Sequence, residues 1–219
     1  KMLRWLEDFI KSGVEEGRFS EKQAHQDLQI ALWYSFACNN LDDYIHYYQA
    51  AEWMKDSEKN AAGCATWYYR YSVALMHCGR LEEARSYAEK GAQEEPDYPW
   101  IWLQVGKLRA HFGDPAGALV AVEQGLKLEP GDYEFLTLQE EIKAGATLEQ
   151  MEYHWINPDA DQLLQQGQGQ DVDDKQRALA CIRVDEAGLA EFYELFCPER
   201  YGYKKNSPCC EFQYPVKEH

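Results

Sequence analysis

The sequence has no uninterrupted apolar run approaching the ~18 residues that a membrane-spanning helix needs. It is also short of cations, with 22 Lys and Arg against 38 Asp and Glu, a formal net charge of −16. Phosphate binding relies on a basic footprint, so nucleic acid is excluded as a general partner, and an anionic membrane surface with it. The acid excess fits a solvated exterior, with electrostatic selection of basic partners as the sharper alternative. There is no Gly-rich phosphate loop, no Gly-x-Ser-x-Gly and no His-Glu-x-x-His. Without such a constellation the chain is not expected to be an enzyme and no cofactor is expected. A Cys/His nucleophile drawn from Cys197 or Cys209 with His154 is the residual alternative. No charged segment followed by a long apolar core marks a signal peptide. Paired Cys-x-x-Cys motifs are absent too. The seven cysteines (38, 64, 78, 181, 197, 209 and 210) are odd in number and scattered, which suits reduced thiols in a cytoplasmic protein.

What is present is an ordinary globular balance, 45% hydrophobic and 27% charged, with 7 Trp, 15 Tyr and 8 Phe. More telling is a passage written twice. "HCGRLEEARSYAEKGAQEEP" at 77–96 and "HFGDPAGALVAVEQGLKLEP" at 111–130 align end to end without a gap. Gly79 pairs with Gly113, Ala84 with Ala118, Gly91 with Gly125 and Pro96 with Pro130. Before each Gly, apolar residues recur at three- and four-residue steps, as in Tyr68, Tyr71, Leu75 and Cys78, which predicts a helix. A second helix is predicted after it, with Leu81, Ala84, Tyr87, Ala88 and Ala92 on one face. The matched residues suit such a hairpin. Glycine ends a helix in the left-handed region, alanine lets two helices approach, and proline opens the next element.

These positions resemble the tetratricopeptide repeat, whose 34-residue period carries a Trp…Gly…Ala…Pro pattern. The better copy is 99–132, with Trp102, Gly106, Gly113, Ala118 and Pro130 in place; 65–98 has Ser72 for the first small residue. The resemblance implies an all-α helical-hairpin solenoid with a short irregular C-terminal segment. The expected division is an N-terminal helical cap at 1–24, a divergent repeat at 25–64, and repeats at 65–98 and 99–132. A capping helix at 133–148 and an extension at 149–219 complete it. The divergent unit aligns "NNLDDY" at 39–44 with "GRLEEA" at 79–84, a shift of 40, with about six extra residues near "KDSEKNAAG".

In this family the first helix of each hairpin lines a concave groove, as in solenoids generally. Carried onto this chain, that pattern gives a partner-binding set of Trp33, Phe36, Tyr69, Val73, Met76, His77, Trp100, Leu103, Lys107 and His111. Gln26, Gln29, Thr66 and Ala110 lie along the same row, and Glu134, Thr137 and Glu141 finish it. The resemblance therefore implies a non-enzymatic scaffold or adaptor that holds a peptide or helix of a protein partner. Members that grip chaperone C-termini use several Lys, Arg and Asn residues there. Gln29 and Trp33 occupy the corresponding first-repeat places, so that ligand is not expected. For each aromatic the competing reading is packing alone. His77 and His111 face the same way one repeat apart but lack further ligands for a metal.

After 148 the pattern changes. "QQGQGQDVDD" at 165–174 reads as a loop, "DEAGLAEFYELFC" at 185–197 as a helix capped by Asp185, and "CEFQYPV" at 210–216 as extended. Cys197, Cys209 and Cys210 lie near Arg200, Lys204 and Lys205, weak candidates for a metal or redox site. Two other functions follow from this end of the chain: a repeat region regulating a cysteine-containing module, or self-association through an incompletely capped solenoid end. Glu94–Glu95 and the carboxylates of "DVDD" read as solvated charges.

Overall fold

A computed structural model of the protein describes residues 2–151. The readings of 165–174, 185–197 and 210–216, the four cysteines after 180, and the His154 pairing all lie outside the described residues. Among the described residues the regular elements are nine α-helices and two short 3-10 turns. They run α1 Met2–Glu15, α2 Glu21–Gln26, α3 Leu28–Asn39, α4 Tyr44–Met54, α5 Ala65–His77, α6 Leu81–Glu94, α7 Pro99–His111, α8 Pro115–Leu128 and α9 Tyr133–Ala144. From α3 onward consecutive helices pack as hairpins, α3 on α4, α5 on α6 and α7 on α8, with α9 closing against α7 and α8. The described residues form an all-α helical-hairpin solenoid.

Local chemistry sets the helix boundaries. Pro99 and Pro115 stand at the first positions of α7 and α8, where a missing N–H costs nothing. Side chains of Asp27, Asp43, Asp114 and Asp132 accept from backbone N–H groups at the starts of α3, α4, α8 and α9. Each hairpin turn is a tight reversal. In the second, Gly79 has φ +75° and the Arg80 N–H donates to the Leu75 carbonyl at 2.9 Å. In the third, Gly113 has φ +80° and the Asp114 N–H donates to the Arg109 carbonyl at 2.9 Å.

The alanines are contact points. Ala84, Ala88, Ala118 and Ala121 are all fully buried. Gly125 is tighter still: a β-carbon there would lie 1.9 Å from Cε1 of Phe135, so its lack of a side chain lets α8 seat on α9. Ser72, in the small-residue place of Gly106, turns its hydroxyl to donate to the Ala84 carbonyl at 2.8 Å.

The first hairpin departs from the sequence alignment. α3 and α4 begin at Leu28 and Tyr44, each 37 residues ahead of α5 and α6, not 40. In this register Asp42 takes the place of Gly79 and is the sole non-glycine with positive φ (+52°) among the described residues. Asparagine and aspartate are the residues that tolerate this region best after glycine. Tyr47 takes the place of Ala84, and its hydroxyl donates to Asp42 Oδ1 at 2.8 Å. The three extra residues fall in the connection after α4, where Lys55–Asn60 forms a 3-10 turn. Its Ser57 hydroxyl donates to the Met54 carbonyl and accepts from Trp67 Nε1, both at 2.8 Å.

Glu94 and Glu95 are not merely solvated. Glu94 closes α6 and Glu95 follows it, and both reach back to the start of α5. The Gly63 N–H and the Tyr68 hydroxyl donate to the Glu94 carboxylate, and the Ala65 N–H donates to Glu95 Oε2 at 2.8 Å. Carboxylates on those N–H groups also oppose the positive end of the helix dipole. The end of one hairpin thereby completes its own beginning.

Candidate binding face

The first helices of the hairpins touch in order: α3 meets α5, α5 meets α7, and α7 meets α9. These contacts set the first helices side by side as a row, and all ten residues of the sequence-derived set lie on α3, α5 and α7. The row is not uniformly accessible. Phe36 is exposed at 38%, His111 is exposed, and Tyr69, Val73 and Trp100 are half-buried. Trp33, Met76, His77, Leu103 and Lys107 are buried, with Leu103 retaining only 1% exposure.

Packing explains the division. Trp33 sets its edge against the Phe36 ring, centroids 5.8 Å apart at 84°. Met76 and Leu103 belong to the continuous apolar core. His77 is turned toward α4, where it stacks flat on Tyr47 with centroids 4.0 Å apart and planes 6° apart. It therefore does not share a surface with His111, which lies edge-on to Phe112 at 5.1 Å. Among the described residues no cluster of three His, Cys, Asp or Glu is placed to hold a metal ion. Gln26 ends α2 and so falls outside α3. Tyr69 meets the edge of Tyr98 at 6.2 Å, and Trp100 lies parallel to Phe135 at 6.0 Å and 13°. Each of these rings has one side in the core and part of its surface at the row.

Two cations line the floor. Arg70, which the sequence pattern did not single out, donates from Nη1 to the Leu32 carbonyl and places its guanidinium 5.1 Å from the Phe36 ring centre. In the register set by the helix starts Arg70 corresponds to Trp33, so a cation and an indole occupy equivalent places on neighbouring helices. The signal that could have revealed it was the register itself. Lys107 is buried, and desolvation pushes its ammonium down to about 7, against the opposing pull of Glu134 and Glu141 on α9. Beneath the row, burial raises the Cys38 thiol well above its ordinary range, so it stays protonated at neutral pH. Cys38 and Cys78 are buried free thiols.

A family model, the tetratricopeptide repeat, matches residues 65–108. Residues 65–108 carry the tetratricopeptide repeat pattern. Among solved structures, the TPR domain of Arabidopsis OM64 is similar at 14% sequence identity and a TM-score of 0.48. That similarity covers 57% of this chain and 98% of that one. No curated protein matches the chain in sequence. No helix among the described residues is long and apolar enough to cross a membrane. Tetratricopeptide repeats in general mediate contacts between proteins. The row offers part-exposed aromatic surface over a rigid floor.

Proposed function

We propose that the chain is a protein-interaction scaffold that holds an extended or helical peptide of a partner along the α3–α5–α7–α9 row. One observation carries this reading. Three consecutive first helices each present a partly exposed aromatic ring, Phe36, Tyr69 and Trp100, on the same face. Aromatic anchors seated in ordered surroundings are the side chains most often found at the energetic centre of interfaces. Phe36, Tyr69, Val73, Trp100 and His111 make the contact, while Trp33, Met76, His77, Leu103 and Lys107 hold the floor in shape. The activity is binding, not catalysis, and it is exercised in the cytoplasm.

The test is selection of a displayed random peptide library on the full chain, followed by counter-selection on Phe36→Ala/Tyr69→Ala. Sequences should enrich on the wild type and lose at least tenfold affinity on the double variant, with melting largely retained. Enrichment that survives both substitutions would place binding elsewhere.

A further inference from the structure

The chain does not leave the last repeat at random. After α9, Gly145 (φ +72°) reverses the backbone, and the 3-10 turn Leu148–Gln150 packs against α7. Leu148 and Met151 are buried there. Hydrogen bonds from its own backbone N–H and from the Thr147 hydroxyl hold the Glu149 carboxyl below its usual range, with His111 of α7 adding a smaller pull. The chain thus emerges at Met151 beside the C-terminal end of α7, on the row of first helices.

Along its α5, α7 and α9 portion, from Trp100 and Glu134 in the first turns to Glu141 near the end of α9, the row has a definite chemical character. Its cations, Arg70 and Lys107, are buried. The half-exposed groups are the rings of Tyr69 and Trp100 and the carboxylates of Glu134 and Glu141. The complement of such a surface is a segment with aromatic rings and positive charges close together. The chain beyond Met151 contains one such stretch. "FCPERYGYKK" at 196–205 joins Phe196, Tyr201 and Tyr203 to Arg200, Lys204 and Lys205. The other cations after Met151 are Lys175, Arg177 and Arg183, with no ring among them, and Lys217, a single cation three residues after Tyr214 and next to Glu218. Reach is no obstacle. Neighbouring helices are about 8–10 Å apart, so crossing from α9 to α5 spans about 20 Å. A chain of about 40 residues can extend several times that distance.

We propose that the segment 196–205 of this same chain docks on the α5–α7–α9 face, its lysines on Glu134 and Glu141 and its tyrosines against Tyr69 and Trp100. The proposal rests on the peptide-binding reading above and adds an occupant to it. The chain carries its own competitor, and a partner peptide binds by displacing it.

The experiment is zero-length carbodiimide coupling on the full chain, with monomer and dimer separated before peptide mapping. Expected are links from Lys204 or Lys205 to Glu134 or Glu141 in the monomer. Trypsin cleavage after Lys204 and Lys205 should also accelerate about fivefold in Glu134→Gln/Glu141→Gln, the size expected for loss of two exposed ion pairs. Because Glu134 also serves the first turn of α9, a Tyr69→Ala chain provides a second variant and should show the same acceleration. Links confined to the dimer would assign the segment to a second copy and overturn the proposal. Absence of links from the monomer would overturn it as well. In that case a synthetic peptide of residues 196–208, titrated against Trp fluorescence, separates the two readings. Saturable binding weakened by Tyr69→Ala keeps the groove and removes self-docking, while no binding removes support from both.

Discussion

Gly125→Ala is the substitution that most directly tests how α8 and α9 are joined. In an exposed helix this change would stabilise by about 1 kcal/mol, because alanine is the better helix former. Here the added β-carbon would lie 1.9, 2.2 and 2.6 Å from Cε1, Cζ and Cδ1 of Phe135. The ring has no room to yield, being fully buried and stacked under Trp100. Overpacking of this kind costs about 1–3 kcal/mol, and three ring carbons well inside contact distance argue for the upper end. Subtracting the helix preference leaves a net loss of about 2 kcal/mol. For a chain of this length that lowers the melting temperature by roughly 4–8 °C. Urea unfolding followed by circular dichroism measures it. The decisive arm is the Phe135→Ala background, where the obstructing ring is gone and the same glycine substitution should become neutral or stabilising. A Gly125→Ala chain as stable as wild type, or an unchanged cost without the ring, would refute the claim that this glycine exists for Phe135.

Gly113→Ala isolates backbone strain from crowding, since nothing lies within 4 Å of its would-be β-carbon but φ is +80°; a loss of about 1 kcal/mol is expected, and less for Gly113→Asn. Glu94→Ala/Glu95→Ala should cost about 2 kcal/mol in urea unfolding, by analogy with the loss of helix caps, and speed amide exchange at Gly63 and Ala65. Lys107 gives a pH signature. Its folded value, about 7, lies below the unfolded one, so between about pH 7 and 10 the unfolded chain holds more protons and stability rises with pH. Lys107→Met should remove up to about 1.4 kcal/mol per pH unit of that slope, relative to wild type, between about pH 7.5 and 9.5. A slope identical in the two chains would show that Lys107 is not desolvated.

The hairpins of α5–α8 were legible because their structural demands fall on residue types with little freedom. Only glycine turns cheaply through the left-handed region, and only small residues let α5 approach α6. The first hairpin meets the same demands with Asp42 in the left-handed turn and Tyr47 in the alanine place. Aspartate is one of the few other residues that accepts such a turn, and the tyrosine fills its space by stacking on His77. Neither substitution carries the pattern, which is why alignment alone settled on a shift of 40. On the binding face, membership of the row follows from periodicity, but accessibility does not. Whether Leu103 or Lys107 is floor or surface depends on how closely α9 lies over α7, a distance no single helix records. The role of Glu94 and Glu95 was hidden for a related reason. A carboxylate pair at a helix end looks solvated until the start of the preceding helix is known to pass beside it.

That last contact also sets an order in time. The first turn of α5 takes acceptors from Glu94 and Glu95, about 30 residues further along the chain. A ribosome adding about 5–20 residues per second therefore leaves those N–H groups without these acceptors for roughly 2–6 seconds after they are made. Synthesis thus presents the hairpins in sequence, and the α5–α6 pair is secured only once the last turn of its second helix has been made.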